Sequence, residues 1–290
     1  MRDFVIFTDS SCDLSAEMAA EMELCVVPLA VTIAGKTYEN DLEGRALPFK
    51  TCYSLLRAGN SATTSAVNVE QFLQAMEPVL QAGKDILYMG FSSALSGTCS
   101  AGVIAIGQLA ERYPDAQMYA VDTLCASLGQ GMLIHLAVQQ KRAGKTIQEV
   151  RDYVESQKLH LCHWFTVDDL HHLRRGGRVS ATSAVLGTAL NIKPVLHVDD
   201  EGRLVFVDKV RGRRNAFKYM VKKMQETAIA PAEQTIFISH GDCLEEAEQL
   251  ASMIREQIPV QDVIINYVGP VIGAHSGPGT LALFFLGTKR

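Results

Sequence analysis

Three stretches of the chain carry side chains and spacing suited to holding an anion. One is Ser92-Ser93-Ala94-Leu95-Ser96-Gly97-Thr98-Cys99. Another is the hydroxyl-rich segment 59–68, centred on Thr63, Thr64 and Ser65. The third is residues 269–280, where four glycines and two prolines surround a single histidine, His275. An ionised carboxylate only accepts hydrogen bonds, so hydroxyls, free backbone N–H groups and an imidazole all suit it. Gly97 lets a ligand approach the backbone closely. A helix starting just after it adds unpaired N–H groups and a partial positive charge. Taken singly, each of the first two stretches is equally an ordinary helix cap with no ligand.

The elements around these residues follow from periodicity. Residues 85–91 are an apolar run that reads as a buried strand. Ala101, Ile104, Ala105 and Leu109 recur on one helical face of 100–112. The 92–99 stretch therefore sits at the carboxyl end of a strand, where open sheets bind ligands. Thr8, Asp9, Ser10 and Ser11 end a strand over 4–7 in the same way, with Asp9 suited to ordering the loop or to a metal. Strands over 4–7, 85–91 and 117–121 alternate with helices over 69–80, 100–112, 127–142 and 146–157. This predicts an α/β domain, a mainly parallel sheet with flanking helices, over residues 1–158. Residues 40–48 read as a surface loop and 59–68 as a second loop. Gly129 and Gly131, early in a helix, point to close packing or close backbone approach.

Beyond residue 158 the pattern changes. A strand over 160–167 leads to a short helix ending at Gly176-Gly177-Arg178. Apolar runs 194–198 and 204–207 flank an acidic, glycine-bearing turn and predict a hairpin. Helices over 215–227 and 243–257 and strands over 235–241 and 262–268 complete a second, smaller α+β domain, residues 159–290. Residues 269–280 are expected to be a shaped loop without regular structure, followed by an apolar element over 281–286.

Composition narrows the function. A formal charge of -5 argues against general nucleic-acid binding. Seven cysteines, an odd number with no C-x-x-C pair, suggest reduced thiols and a cytoplasmic protein. The start has no long apolar targeting segment, and no apolar run is long enough to span a membrane. Ser96 with His275 could serve an esterase or thioesterase, but there is no G-x-S-x-G elbow and no assigned acid. His160, Cys162, His163, His171 and His172 match no standard zinc spacing, and His163 faces away from His160 and Cys162 on a strand, so no metal site is expected. No P-loop or clean dinucleotide fingerprint occurs. Arg174, Arg175, Arg178, Arg211, Arg213, Arg214, Lys218, Lys222 and Lys223 form a basic cluster. It suits a phosphate, a carboxylate or a partner, or simply a solvated face.

Taken together and in order, these motifs resemble the DegV-like family, the fatty-acid-binding subunits (FakB) of bacterial fatty acid kinase. The residues that carry the resemblance begin with Phe7-Thr8-Asp9-Ser10-Ser11-Cys12-Asp13-Leu14, Thr64-Ser65 and the 92–98 stretch. They continue through Val121-Asp122-Thr123 with Gly129-Gln130-Gly131, Leu173-Arg174-Arg175-Gly176-Gly177-Arg178 and Asn191-Ile192-Lys193-Pro194. Gly269-Pro270-Val271-Ile272-Gly273, His275 and Gly277-Pro278-Gly279 complete them. The resemblance implies a long-chain fatty acid in a tunnel between the two domains, its carboxylate held by Thr64, Ser96 and His275, with the backbone near Gly97 a further donor. It also implies a separate ATP-dependent kinase subunit that makes the acyl phosphate, with no catalysis by this chain alone and no cofactor or metal. Arg174, Arg175 and Arg178 would then help dock that partner. Carriage of another amphipathic carboxylate is the alternative. Burying a methylene is worth about 0.8 kcal/mol, enough for a long acyl chain to stay bound through purification. The chain departs from the family where Ala66-Val67 follow Thr64-Ser65, at Ala94 where glycine is frequent, and at Cys99 where tyrosine is frequent. These positions bear on acyl-chain preference.

Overall fold

The computed structural model describes residues 2–179 and 191–290. Its strands are β1 (Phe4–Asp9), β2 (Cys25–Val27), β3 (Ala30–Ile33), β4 (Lys36–Glu39), β5 (Ala62–Ser65), β6 (Asp85–Gly90), β7 (Met118–Asp122), β8 (Leu161–Thr166), β9 (Ile192–Val198), β10 (Leu204–Arg211), β11 (Thr235–His240), β12 (Asp262–Tyr267) and β13 (Leu281–Leu286). The helices are α1 (Ala16–Glu21), α2 (Phe49–Arg57), α3 (Val69–Gln81), α4 (Thr98–Arg112), α5 (Leu128–Arg142), α6 (Ile147–Gln157), α7 (Leu170–Arg175), α8 (Arg213–Thr227), α9 (Leu244–Gln257) and α10 (Pro270–Ser276).

The architecture is mixed α/β, as the alternation of periods predicts. β2-β1-β6-β7 form a four-stranded parallel sheet. Every residue of β6 is buried, which is why it reads as a near-continuous apolar run rather than an alternating one. β4-β3-β5 form a small antiparallel sheet beside it. The later half contributes a six-stranded sheet, β10-β9-β8-β13-β11-β12, antiparallel except at β11–β12. One apolar core runs across both halves, joining Leu128 and Leu133 of α5 to Leu161, Phe237 and Phe284 of the six-stranded sheet.

Two expectations need correction, and both involve the site. Residues 62–65 are not loop but β5, paired with β3. Thr63 and Thr64 are β-branched and suit the ladder, but the inward residues of this strand are not large apolar ones, so no hydrophobic alternation marks it. Residues 270–276 are not irregular but helix α10. Pro270 stands in its first turn, where a missing N–H is harmless, and Gly277, with φ +80, ends it. Gly273 is inside the helix for packing: a Cβ there would lie 2.6 Å from the Tyr53 hydroxyl of α2. The loop over 40–48 is not wholly superficial either. Asn40 is buried and donates to Ser10 Oγ at 3.0 Å.

Gly131 shows how tightly α5 packs on the turn that follows β1. A Cβ there would stand 2.8 Å from the Cys12 carbonyl oxygen and 3.0 Å from Leu14. A backbone oxygen cannot step aside as a flexible side chain can. Gly131→Ala gains up to about 1 kcal/mol of helix propensity but overpacks at a cost of roughly 1–3 kcal/mol. The expected outcome is a lower urea midpoint with an unchanged slope, read by equilibrium unfolding.

Candidate functional site

A cavity of about 240 Å³ opens where α10, β5, the β6–α4 turn and the inner face of the six-stranded sheet converge. Leu29, Phe91, Phe165, Leu173, Leu204 and Phe284 supply apolar walls. α10 runs along one side. Val271, Ile272, His275 and Ser276 all face the cavity, the spacing of a single helical stripe, with Val268 just before the helix.

Thr64, Ser96, Gly97 and His275 are brought together on this cavity from three parts of the chain. Thr64 Oγ1 lies 2.8 Å from His275 Nε2. Thr64 is half-buried on β5 because strand alternation turns it inward while Thr63 and Ser65 face solvent. Ser96 Oγ accepts from the Thr98 amide at 3.2 Å and shares a hydrogen with Thr98 Oγ1 at 2.9 Å. Ser96 thus bonds the first amide of α4 and lines the cavity at once. Gly97 has no atom within 4 Å of where a Cβ would project, leaving its backbone approachable.

The arginine–glycine stretch divides. Arg174 and Arg175 are exposed, and Arg175 bonds His172 Nδ1 at 2.9 Å. Arg178 instead turns into the cavity, half-buried, with Nε and Nη2 donating to the Leu95 carbonyl at 3.2 and 3.1 Å. Gly177, with φ +71, reverses the chain between them. Gly176 is pressed onto His275: a Cβ there would stand 2.3 Å from Nδ1. No Asp or Glu is among the described residues that line the cavity, so Arg178 is its one charged wall residue there.

Burial and the Arg178 charge push the His275 pKa down to about 4. Its imidazole is therefore neutral near pH 7, and Nε2 either donates to or accepts from Thr64 according to tautomer. The serine and histidine are not paired as nucleophile and base. Ser96 bonds Thr98, His275 bonds Thr64, and no described carboxylate bonds the imidazole.

Sequence reading missed Ser276. It is 5% exposed, lines the cavity and has no hydrogen-bond partner. Its only signal was adjacency to His275. Of the three family departures, Ala66 lines the cavity, whereas Cys99 packs with Tyr88 in the core and Ala94 is exposed. The histidines and cysteine of the 160–172 region are dispersed: His163 faces the cavity, Cys162 packs under α8, and His171 is exposed. Arg213 is half-buried and paired with Glu246 and Asp168 rather than on a free basic face. Among the described residues, no group of three or more His, Cys, Asp or Glu side chains is placed to hold a metal ion, and no helix is long and apolar enough to cross a membrane.

Comparison with known proteins is consistent along the whole chain. The family described as "Uncharacterised protein, DegV family" matches residues 3–288. A DegV domain-containing protein of Clostridium perfringens is 47% identical over 290 residues, spanning 100% of this chain and 99% of the relative. The solved structure of a fatty-acid-binding DegV family protein from Thermus thermophilus superposes with TM-score 0.89 at 28% identity, covering 99% of this chain and 100% of that one. A fatty-acid-binding DegV family protein from Streptococcus agalactiae gives TM-score 0.86 at 28% identity over 100% of both chains.

The electrostatic arrangement is directly measurable. In carbon-labelled histidine NMR, His275 is expected to titrate near 4 rather than near the ordinary 6.5. Arg178→Met removes a nearby positive charge while keeping the burial, so the midpoint should rise. A midpoint that stays put would separate Arg178 from His275.

Proposed function

The chain belongs to the DegV family, and from that premise we propose that it binds a long-chain fatty acid and presents the carboxylate to a separate ATP-dependent kinase subunit for acyl-phosphate formation. The observation that carries the reading is the polarity of the cavity. Its walls are largely apolar, and Thr64, Ser96 and His275 line it beside Arg178, the one charged residue among its described lining residues. An acyl chain and a carboxylate have the complementary distribution. Thr64, Ser96, the Gly97 backbone and His275 hold the carboxylate, and Arg178 provides the balancing charge. The neutral imidazole serves as a hydrogen-bond donor in its Nε2–H tautomer, with Thr64 free to turn its own hydrogen to the ligand.

The acyl chain lies in a tunnel between residues 1–158 and 159–290, surrounded by Leu29, Phe165, Leu173 and Phe284. Each methylene withdrawn from water contributes about 0.8 kcal/mol, so the chain supplies most of the affinity and the donors set its direction. This chain takes the role of carrier, with no catalysis alone and no cofactor. Exposed Arg174 and Arg175, close to the cavity end that holds His275, form the docking face for the kinase subunit, whose ATP chemistry places the exchange in the cytoplasm.

Native mass spectrometry should show a stoichiometric adduct that extracts into solvent as a fatty acid. Thr64→Ala and Ser96→Ala should each weaken retention about ten- to hundred-fold, the loss of one hydrogen bond to a charged group. In a reconstituted reaction with the kinase subunit and ATP, both should lower acyl-phosphate yield. An apo mass with no uptake of added fatty acid would end this reading. Ester turnover by the isolated chain, abolished in Ser96→Ala, would replace it with hydrolysis.

A further inference from the structure

Ser276 is the last residue of α10 and the chain neighbour of His275. It is 5% exposed and lines the cavity, and its Oγ has no hydrogen-bond partner among the described residues. A serine in a helix ordinarily returns its hydroxyl to the carbonyl three or four residues back. Both of those residues, Gly273 and Ile272, belong to α10, and Ser276 bonds neither. The backbone around it is anchored on both sides. His275 bonds Thr64 of β5 at 2.8 Å. The Gly277 carbonyl accepts from Thr280 Oγ1 at 2.7 Å, and a Cβ on Gly241, just after β11, would lie 2.9 Å from that oxygen. Ser276 therefore stays where it is, and its hydroxyl moves only about χ1, the single torsion that sets it.

The hydrogens that the neighbouring groups can offer an anion are few. Thr64 Oγ1 and His275 Nε2 share one hydrogen between them, so the pair leaves at most one for a ligand. With Nε2 as the donor, the Thr64 hydrogen is free. With Nε2 as the acceptor, Thr64 is spent, and the Nδ1–H faces Gly176, where a Cβ would lie 2.3 Å away. Ser96 and Thr98 share another hydrogen at 2.9 Å. An ionised carboxylate has about four acceptor sites. Ser276 holds a hydrogen on which no described group has a claim.

The helix sets how Ser276 and His275 meet the cavity. Consecutive Cα atoms are about 3.8 Å apart, and at 3.6 residues per turn neighbouring side chains diverge by about 100°. The two residues thus reach the cavity close together and from different directions.

We propose that Ser276 is a further ligand of the carboxylate, its hydroxyl turning about χ1 to donate to the head group from the side that the Thr64–His275 pair does not reach. The inference rests on the fatty-acid reading above and adds a binding residue to that site. The delipidated full-length protein and its Ser276→Ala variant are titrated with octadecanoic acid and with octadecan-1-ol, which has the same chain without the carboxylate. Ser276→Ala should weaken binding of the acid about ten-fold, the loss of one hydrogen bond to a charged group, and binding of the alcohol by less than about three-fold. In urea unfolding without ligand, Ser276→Ala should be at least as stable as the unsubstituted protein, because it removes a buried hydroxyl that has no partner. A serine that only packs, or bonds within the fold, behaves otherwise. An equal loss for acid and alcohol, unchanged binding of the acid, or a lower ligand-free midpoint would overturn the inference. Failure of the unsubstituted protein to bind octadecanoic acid would instead remove the fatty-acid reading itself.

Discussion

The close approach of α10 to α2 is the constraint on which the site depends. Gly273 has no side chain, so the helix backbone can rest on the Tyr53 ring, and the Tyr53 hydroxyl donates to the Val268 carbonyl at 2.7 Å just before the helix begins. That contact ties the later half of the chain to the earlier one at a buried point. It also sets the depth of the stripe that faces the cavity. With the helix displaced outward by one methyl group, Nε2 of His275 would leave the 2.8 Å bond to Thr64. Gly176 makes the corresponding contact on the other side of His275. The imidazole is thus held between a strand and a glycine turn, and its orientation is decided by packing more than by its one hydrogen bond.

Charge in the cavity is managed by the same economy. A buried ion without a partner is costly, so the titratable groups around the cavity tend to stay neutral. His275 and His163 both have pKa values pushed down, chiefly by burial. Burial pushes Asp13 up to about 8, with the Ser127 bond pulling the other way. Arg178 remains charged, only half-buried, with two of its nitrogens on the Leu95 carbonyl. One cation facing a set of neutral donors favours an anion at that end and nowhere else along the wall.

Much of this was legible in the sequence, for identifiable reasons. The parallel sheet announced itself because buried strands such as β6 are apolar on both faces. Ser96 and Gly97 stood out because a strand-to-helix turn concentrates unpaired backbone groups. His275 stood out as one histidine among glycines and prolines. The helix that carries it did not, because Pro270, Gly273 and Gly277 each read locally as breakers, and only the Tyr53 ring explains the central one. β5 was hidden because its cavity-facing Thr64 is a hydroxyl where a strand pattern expects a large apolar side chain. Arg178 read like its exposed neighbours, since the left-handed Gly177 turn that sends it inward has no effect on composition. The meeting of Asp13, Ser127 and Ser239 joins residues more than a hundred positions apart, and no local pattern records it.

An unpartnered hydroxyl gives this arrangement its energetic meaning. A buried donor or acceptor left unpaired costs about 1–3 kcal/mol, and Ser276 lines the cavity in that condition. For folding alone, alanine there would be the better residue. A domain is stable by only about 5–15 kcal/mol, so one such group is a substantial concession. Ser276 follows His275 at the end of α10, on the same cavity wall. Filling the cavity with a molecule that is polar at that point removes the penalty. Affinity and stability then rise together, and they rise most for the ligand that answers this hydroxyl.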